Sequence, residues 1–412
     1  MSKRPANRDT AALRAENTAR VLHQIRRSGE IARVDLADRL NLSPATVTTI
    51  VTDLVEWDLV RETHALATPG RGRPRIQLTL NPSARYVAGA KLNTDTLTVA
   101  ILDFVGEVLA DVTVPFSGPT IQPGEMVERL HHGFRQAVAK ADLVPGDIAG
   151  FGLGIPGFIE RETGNCHWSP ILTGTPIDIR ALIQDRIECP VSVDNDANLA
   201  TLAELWFGHG REHTDFLVVT IEHGVGLGLV IDGRLYRGAR GLGAEFGHTK
   251  VQIEGALCRC GQRGCLEAYV ADFALVREAN TALPVQTEPV ASATLIDQLA
   301  DRARSGDPGP ASIFRRAGRM LGMGLANLLN LFDPSIIVLT GERMRNHGLL
   351  EEGVAQSIKE NALHTGRSPV RLAVHRWGDG LWARGAGALA LDTLSPPGAG
   401  TRGEASMARR SA

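Results

Sequence analysis

The hydrophobic period of this chain changes near residue 82, and one layer of secondary structure cannot serve both periods. Before that point apolar residues recur at helical spacing, as in Val47, Ile50, Val51, Leu54 and Val55. From Tyr86 onward they fall in strand-like runs such as "YVAGAKL", "TLTVAILD" and "EVLADVTVPF". A small helical head followed by a larger α/β body is therefore expected. Charge divides at the same place. Residues 1–82 carry 13 Lys and Arg against 9 Asp and Glu, net +4, and the remainder carries 31 against 37, net −6. A basic head on an acidic body predicts different partners for the two parts.

The head reads as three short helices with tight joints. The first carries Val21, Leu22 and Ile25 and stops at Ser28-Gly29; the second, "RVDLADRL", sets Leu36, Ala37 and Leu40 on one face. Asn41-Leu42 makes the turn. The third opens on Ser43 as N-cap with Pro44 at the first helical position. A hydroxyl there accepts an amide left free by the first turn, and proline loses no bond. Its outward face carries Ala45, Thr46, Thr48 and Thr49, small groups able to reach phosphates and base edges from a major groove. A strand piece, a Gly/Pro tip and the alternating "IQLTL" complete the pattern of a winged helix-turn-helix. In the tip, "GRGRPR" spaces Arg71, Arg73 and Arg75 as an extended basic hook suited to a narrow minor groove, although alone it also reads as a solvated linker. Operator DNA is the predicted partner. Paired half-sites imply a homodimer or higher homo-oligomer.

In the body, "FLVVTIEHGVGLGLVIDGRLYRG" reads as a looser second copy of the first strand set, which predicts a duplicated α/β fold with two lobes. Its longest apolar run is broken by Glu222 and His223, so no membrane span is expected. "MSKRPANRDT" lacks the apolar segment of a signal peptide, and a cytoplasmic location is expected. The tail from residue 396 has the composition of a disordered segment.

Of 5 cysteines, Cys258, Cys260 and Cys265 crowd into "CRCGQRGC". An odd number, so clustered, fits a metal site in a reducing compartment better than a disulfide framework. Gly261 and Gly264 let the backbone fold round a small ion. Three thiolates leave one place of a tetrahedron, and His248 is the nearest histidine in sequence. Three unliganded cysteines are the plainer alternative. A second polar cluster, "VDNDAN", ends a strand before a helix. Asp194 or Asp196 could cap that helix near Ala197, or the carboxylate and amide groups could hold the hydroxyls of a polyol.

In order along the chain, "GRGRP", "GLGIPG", "NDAN", "GLGAEFGH", "CRCGQRGCLE" and "NLFDPSIIVLTG" resemble the motifs of the ROK family (repressors, open reading frames, kinases), in its transcription-regulator branch. The resemblance covers most of the chain. It implies a winged helix-turn-helix DNA-binding domain with a basic wing over 1–82. An actin-like (ribonuclease-H-like) two-lobed sugar-kinase fold over 83–395 and a tail over 396–412 would follow. It also implies that Asn195, Asp196, Glu245, His248 and Glu267 face a sugar, with Asp196 at the position of the kinase base. His248 then joins Cys258, Cys260 and Cys265 in a closed, structural Zn2+ site, one per chain.

Active kinases of the family carry "DxGGT" and "GTGxGGG" phosphate loops. Here the corresponding stretches are "AKLNTDT" and "EHGVGLG", with Glu222 and His223 in place of Gly-Thr. A carboxylate at that place repels a polyphosphate. The expectation is a degenerate sugar kinase with no catalytic residue. It acts as a sugar-responsive regulator, a repressor of carbohydrate uptake or catabolism genes. The runner-up is an active ATP-dependent sugar kinase with an accessory DNA-binding domain. A third reading is a repressor controlled by a phosphotransfer protein. Family precedent offers xylose, glucose and N-acetylated aminosugars as effectors without choosing among them.

Overall fold

A computed structural model describes residues 10–64, 76–239, 241–283, 291–363, 370–375 and 380–394. The hook residues Arg71, Arg73 and Arg75, and the tail from 396, lie outside the described residues. The head comprises α1 (Thr10–Ser28), β1 (Glu30–Ala32), α2 (Arg33–Leu40), α3 (Pro44–Glu56), β2 (Val60–His64) and β3 (Ile76–Leu80). Strands β1, β3 and β2 form an antiparallel sheet in that order. β1 was not legible in the sequence, because three residues carry no measurable period. Asn41 adopts φ 50°, a left-handed conformation that asparagine tolerates, and ends α2. α3 starts where the sequence predicts, with Ser43 Oγ accepting from Thr46 N at 3.1 Å. It buries Val47, Ile50, Val51 and Leu54. Val55 departs from the predicted inward stripe and is 36% exposed.

The body continues through β4 (Tyr86–Leu92), β5 (Thr96–Leu102), β6 (Val108–Pro115), α4 (Pro123–Lys140) and β7 (Ile148–Ile155). Next come β8 (Phe158–Glu160), β9 (Asn165–Trp168), β10 (Ile177–Asp178), α5 (Ile179–Gln184) and β11 (Val191–Asn195). The second half runs α6 (Asp196–Phe207), β12 (Phe216–Ile221), β13 (Val225–Ile231), β14 (Arg234–Tyr236), α7 (Glu267–Val270), α8 (Asp272–Ala282) and α9 (Ser292–Arg304). It closes with α10 (Pro308–Phe332), β15 (Ile336–Thr340), α11 (His347–Asn361), β16 (Arg371–Val374) and α12 (Gly380–Thr393).

Two five-stranded sheets repeat one connectivity. The first has the order β11-β7-β4-β5-β6 and the second the order β16-β15-β12-β13-β14. In each, an antiparallel meander of three strands is followed by a strand parallel to its first member, β7 on β4 and β15 on β12. This is the duplication expected from the sequence. β4 is buried from Val87 to Leu92 and β15 throughout, as strands covered on both faces must be. The chain forms two compact units, Met1–Gly154 with Ile171–Val193 and Ala386–Ala412, and Ile155–Pro170 with Asp194–Gly385. Within the first unit, Arg26 of α1 is only 8% exposed, donates to Phe104 O at 3.3 Å and lies 5.0 Å from the Phe104 ring centre.

Candidate functional site

The head presents Ala45, Thr48 and Thr49 on an exposed face of α3, with Thr46 half-buried beside the cap. Thr48 and Thr49 donate their hydroxyls back to Pro44 O at 2.8 Å and Ala45 O at 3.1 Å. Such bonds are local and exchangeable, so the hydroxyls can turn to an outside acceptor without unfolding the helix. Ser43 and Thr46 hold one another, Oγ to Oγ1, at 2.8 Å.

Strand β11 hands over to α6 at Asn195. Its Oδ1 accepts from Ala197 N at 2.8 Å and its Nδ2 donates to Gly157 O at 2.8 Å. The helix cap therefore falls to Asn195, with Asp196 Oδ1 sharing the same amide at 3.0 Å, and Asp194 takes no part in it. Asp194 is 1% exposed. Its Oδ1 accepts from Asn195 N at 2.8 Å and from Asn198 Nδ2 at 2.7 Å, and its Oδ2 takes Arg237 at 2.8 Å. A carboxylate this deeply buried is tolerable only with such pairing. Sequence reasoning missed Arg237, which stands 43 positions from Asp194 and has no local signal. The network fixes the first turn of α6, and with it Asp196, the first residue of that helix.

The second part of the site is built on a 3-10 turn, Phe246–His248. Phe246 is buried in the core, and a Cβ on Gly247 would stand 2.3 Å from Val225 O, so the turn lies directly on the start of β13. Glu267 opens α7, and its Oε2 accepts from Val225 N at 3.3 Å. Glu245 is open to solvent as a residue, yet its carboxyl end stands among protein atoms. Burial first, and then the charges of Asp196 and Glu267, push that carboxyl up to about 7. Glu245 thus feels Asp196 and Glu267, two carboxyl groups predicted from separate motifs.

His248, Cys258, Cys260 and Cys265 bring one ligand atom each to within 4.8 Å of the others. Cys260 Sγ and Cys265 Sγ are 3.7 Å apart, and Cys258 Sγ is 3.7 Å from His248 Nδ1. Thiolates at about 2.3 Å from a tetrahedral ion stand roughly 3.8 Å from one another, so these two spacings match a metal site and the four donors are gathered where one ion could be held. Cys258 and Cys265 are buried and Cys260 is exposed. The loop is framed by backbone bonds from Val251 N to Gly264 O at 2.9 Å, Cys258 N to Gln262 O at 2.8 Å and Gly264 N to Ala256 O at 2.9 Å. Tyr269 Oη accepts from Ala256 N at 2.7 Å, and Lys250 Nζ lies 2.9 Å from Cys265 Sγ. Glu267 Oε1 is 3.8 Å from Cys258 Sγ, which ties the metal loop to the carboxylate cluster.

The β12–β13 turn holds Glu222 and His223. Glu222 Oε1 accepts from Glu342 N at 3.3 Å, and a Cβ on Gly341 would stand 2.9 Å from Glu222 Cγ. His223 Nδ1 pairs with Asp272 Oδ2 at 2.9 Å, and that hydrogen bond holds the imidazole above its ordinary value. Asp272 and Arg343, 3% and 2% exposed, form a buried pair behind it.

The ROK family pattern matches residues 87–393. The chain belongs to the ROK family. Ahead of that match, residues 15–72 match the MarR family. This ROK protein is 27% identical over 357 residues to the xylose repressor of Bacillus spizizenii, covering 85% of this chain and 88% of that one. A ROK family transcriptional regulator of known structure, a homologue of the Escherichia coli MLC protein, superposes with a TM-score of 0.75 at 29% identity. That match covers 92% of this chain and 96% of the other. A ROK glucokinase from Streptomyces griseus, solved with glucose and AMPPNP, gives 0.62 at 29% identity and covers 74% of this chain and 99% of the kinase. The kinase is thus almost wholly matched while a quarter of this ROK protein is left over. The fold is a MarR-like winged helix-turn-helix followed by the actin-like ROK kinase fold. Among the described residues, no helix is long and apolar enough to cross a membrane.

Proposed function

We propose that this ROK protein is a sugar-responsive transcriptional regulator in the cytoplasm, a repressor of carbohydrate uptake or catabolism genes. Residues 1–82 read operator DNA, residues 83–395 bind the sugar effector, and the protein works as a homodimer or higher homo-oligomer. The observation that carries this reading is the union, in one chain, of a capped recognition helix with three crowded carboxyl groups at Asp196, Glu245 and Glu267. Carboxylates so placed accept several hydroxyl hydrogen bonds from a polyol, and binding relieves their mutual repulsion.

His248 joins the two halves of the site. With Nδ1 turned to Cys258, a Zn2+ held by His248, Cys258, Cys260 and Cys265 leaves Nε2 to meet a sugar hydroxyl in one fixed tautomer. Four protein donors fill a tetrahedron, so the ion's work is structural. Asn195 spends its amide on the cap and on Gly157, which suits it to positioning Asp196 as well as to contacting the sugar. DNA contacts belong to Ser43, Ala45, Thr46, Thr48 and Thr49, and to the hook of Arg71, Arg73 and Arg75. Absence of phosphotransfer is supported by the Glu222 carboxylate, which stands on the β12–β13 turn and takes the Glu342 amide.

The test uses fluorescence anisotropy on a duplex selected by the protein from random sequence, titrated with and without a panel of sugars. At least one sugar changes duplex affinity in the native chain. Asp196→Asn removes that response and keeps sugar-free DNA affinity. Identical affinity with every sugar would sink the sensing role, and sugar-dependent ADP release from ATP would instead establish the kinase.

A further inference from the structure

Helices α10 and α11 cross with almost no space between their backbones. A Cβ on Gly318 would stand 2.4 Å from Leu350 O, one on Gly322 2.6 Å from Val354 O, and one on Gly353 2.5 Å from Arg315 O. So close a crossing fixes the two helix backbones against one another. Beside it lies a cavity of about 590 Å³. That is within the range of roughly 300–1,000 Å³ typical of small-molecule sites. Arg315, Arg316 and Arg319 line it from α10, Ser357 and Glu360 from α11, and Gln252 from the metal loop.

The charge in this cavity is unbalanced. Glu360 reaches Arg319 at 3.7 Å, and both are largely exposed. Arg316 lies 5.4 Å from the Tyr269 ring centre. Arg315 has no ion pair or side-chain hydrogen bond among the described residues. In the metal loop, Arg259 packs on Phe273 and Arg263 donates to Gly255 O. The exposed arginines on other helical turns of the same unit have acids of their own: Arg277 with Glu278, Arg302 with Asp307, Arg304 with Asp301 at 2.8 Å and Arg345 with Asp297 at 2.8 Å. A solvated helix face would look like those. Here three guanidiniums against one carboxylate leave two positive charges facing one space. A single carboxylate would neutralise half of that, whereas a phosphomonoester carries close to two negative charges at neutral pH. Its oxygens also match the planar guanidinium fork.

We propose that this cavity is a second effector site, separate from the sugar-facing residues, which takes the phosphomonoester of a small metabolite. The site adjoins the metal loop through Gln252, whose carbonyl accepts from Gly255 N at 3.1 Å, so occupancy bears on the backbone that carries Cys258 and Cys265. Isothermal titration of the full-length protein with glycerol 3-phosphate tests this. Glycerol and sulfate at matched ionic strength are the controls. The native chain gives saturable binding with glycerol 3-phosphate and none with glycerol. Arg315→Gln with Arg319→Gln weakens it by at least about tenfold, the size of a lost charge-assisted hydrogen bond. The melting temperature stays unchanged, because both side chains are exposed. Asp196→Asn leaves the binding intact. Undiminished binding in the double variant, no saturation in the native chain at millimolar probe, or sulfate binding as tightly as the ester would each overturn the assignment.

Discussion

Gly264→Ala asks whether the metal loop depends on its backbone as much as on its four donors. Gly264 has φ +79°, and an added Cβ would stand 1.8 Å from the main-chain oxygen of Gln252. An L-residue in that left-handed region costs about 1–2 kcal/mol. The overlap is with backbone, so no side-chain rotation relieves it, and forcing bond angles by a comparable amount costs about 4 kcal/mol. Opening the loop instead breaks the bonds that Gly264 makes to Ala256 and Val251, each 2.9 Å long. Those are worth about 1 kcal/mol apiece. By either route the penalty is about 3–6 kcal/mol, and Cys265 is carried out of place. Gly261→Ala is the control. It has φ +84° with nothing within 4 Å of an added Cβ, so only the conformational cost of about 1–2 kcal/mol applies. Zinc per chain is measured by plasma mass spectrometry and stability by urea unfolding. Gly261→Ala keeps one zinc and loses a little stability; Gly264→Ala loses both zinc and several kcal/mol. If the two variants hold equal zinc and unfold within about 1 kcal/mol of one another, the steric argument is wrong.

Ser43→Ala removes the acceptor for Thr46 N, and denaturation should register a loss of about 1 kcal/mol with weaker duplex binding and unaltered sugar affinity. Cys260→Ser, at the exposed corner of the quartet, lowers zinc content and sugar response together; a variant that loses zinc but keeps normal sugar affinity and stability contradicts the structural role. His23 gives a pH signature. Burial first, then Arg26 and Arg27, push its imidazole down to about 3. The folded head therefore keeps it neutral while the unfolded chain takes up a proton from about pH 6.5 downward. Stability from this group is complete above that value and falls between it and about pH 3. The loss at pH 5 is at most about 2 kcal/mol, since part of the residue still meets water. His23→Phe flattens the thermal-melting profile between pH 6.5 and 5; an unchanged profile rules His23 out as the cause.

Much of the candidate site was legible because its parts announce themselves over short spans. Ser43-Pro44 starts a helix through bonds to the next turn, and "CRCGQRGC" gathers three of the four donors within one loop. Glu245 and Glu267 were located only through family motifs, and their nearness to Asp196 appears only when α6, the Phe246–His248 turn and α7 come together. The choice of cap at α6 illustrates the limit. The sequence offered Asp194 or Asp196; buried pairing with Arg237 takes Asp194 out of the cap, and Asn195 fills it with Asp196 sharing the Ala197 amide.

The sequence by itself determined the helices of the head, the strand runs of the body and the crowding of Cys258, Cys260 and Cys265, because each rests on interactions spanning a few residues. Tertiary structure alone decided that β1 joins the head sheet, that Arg237 neutralises Asp194, and that Glu222 lies against Gly341. It alone assembled three arginines of α10 with Glu360 of α11 around one cavity. Each of those outcomes depends on which surfaces pack together, and hydrophobic period fixes the face an element buries without naming the partner it meets.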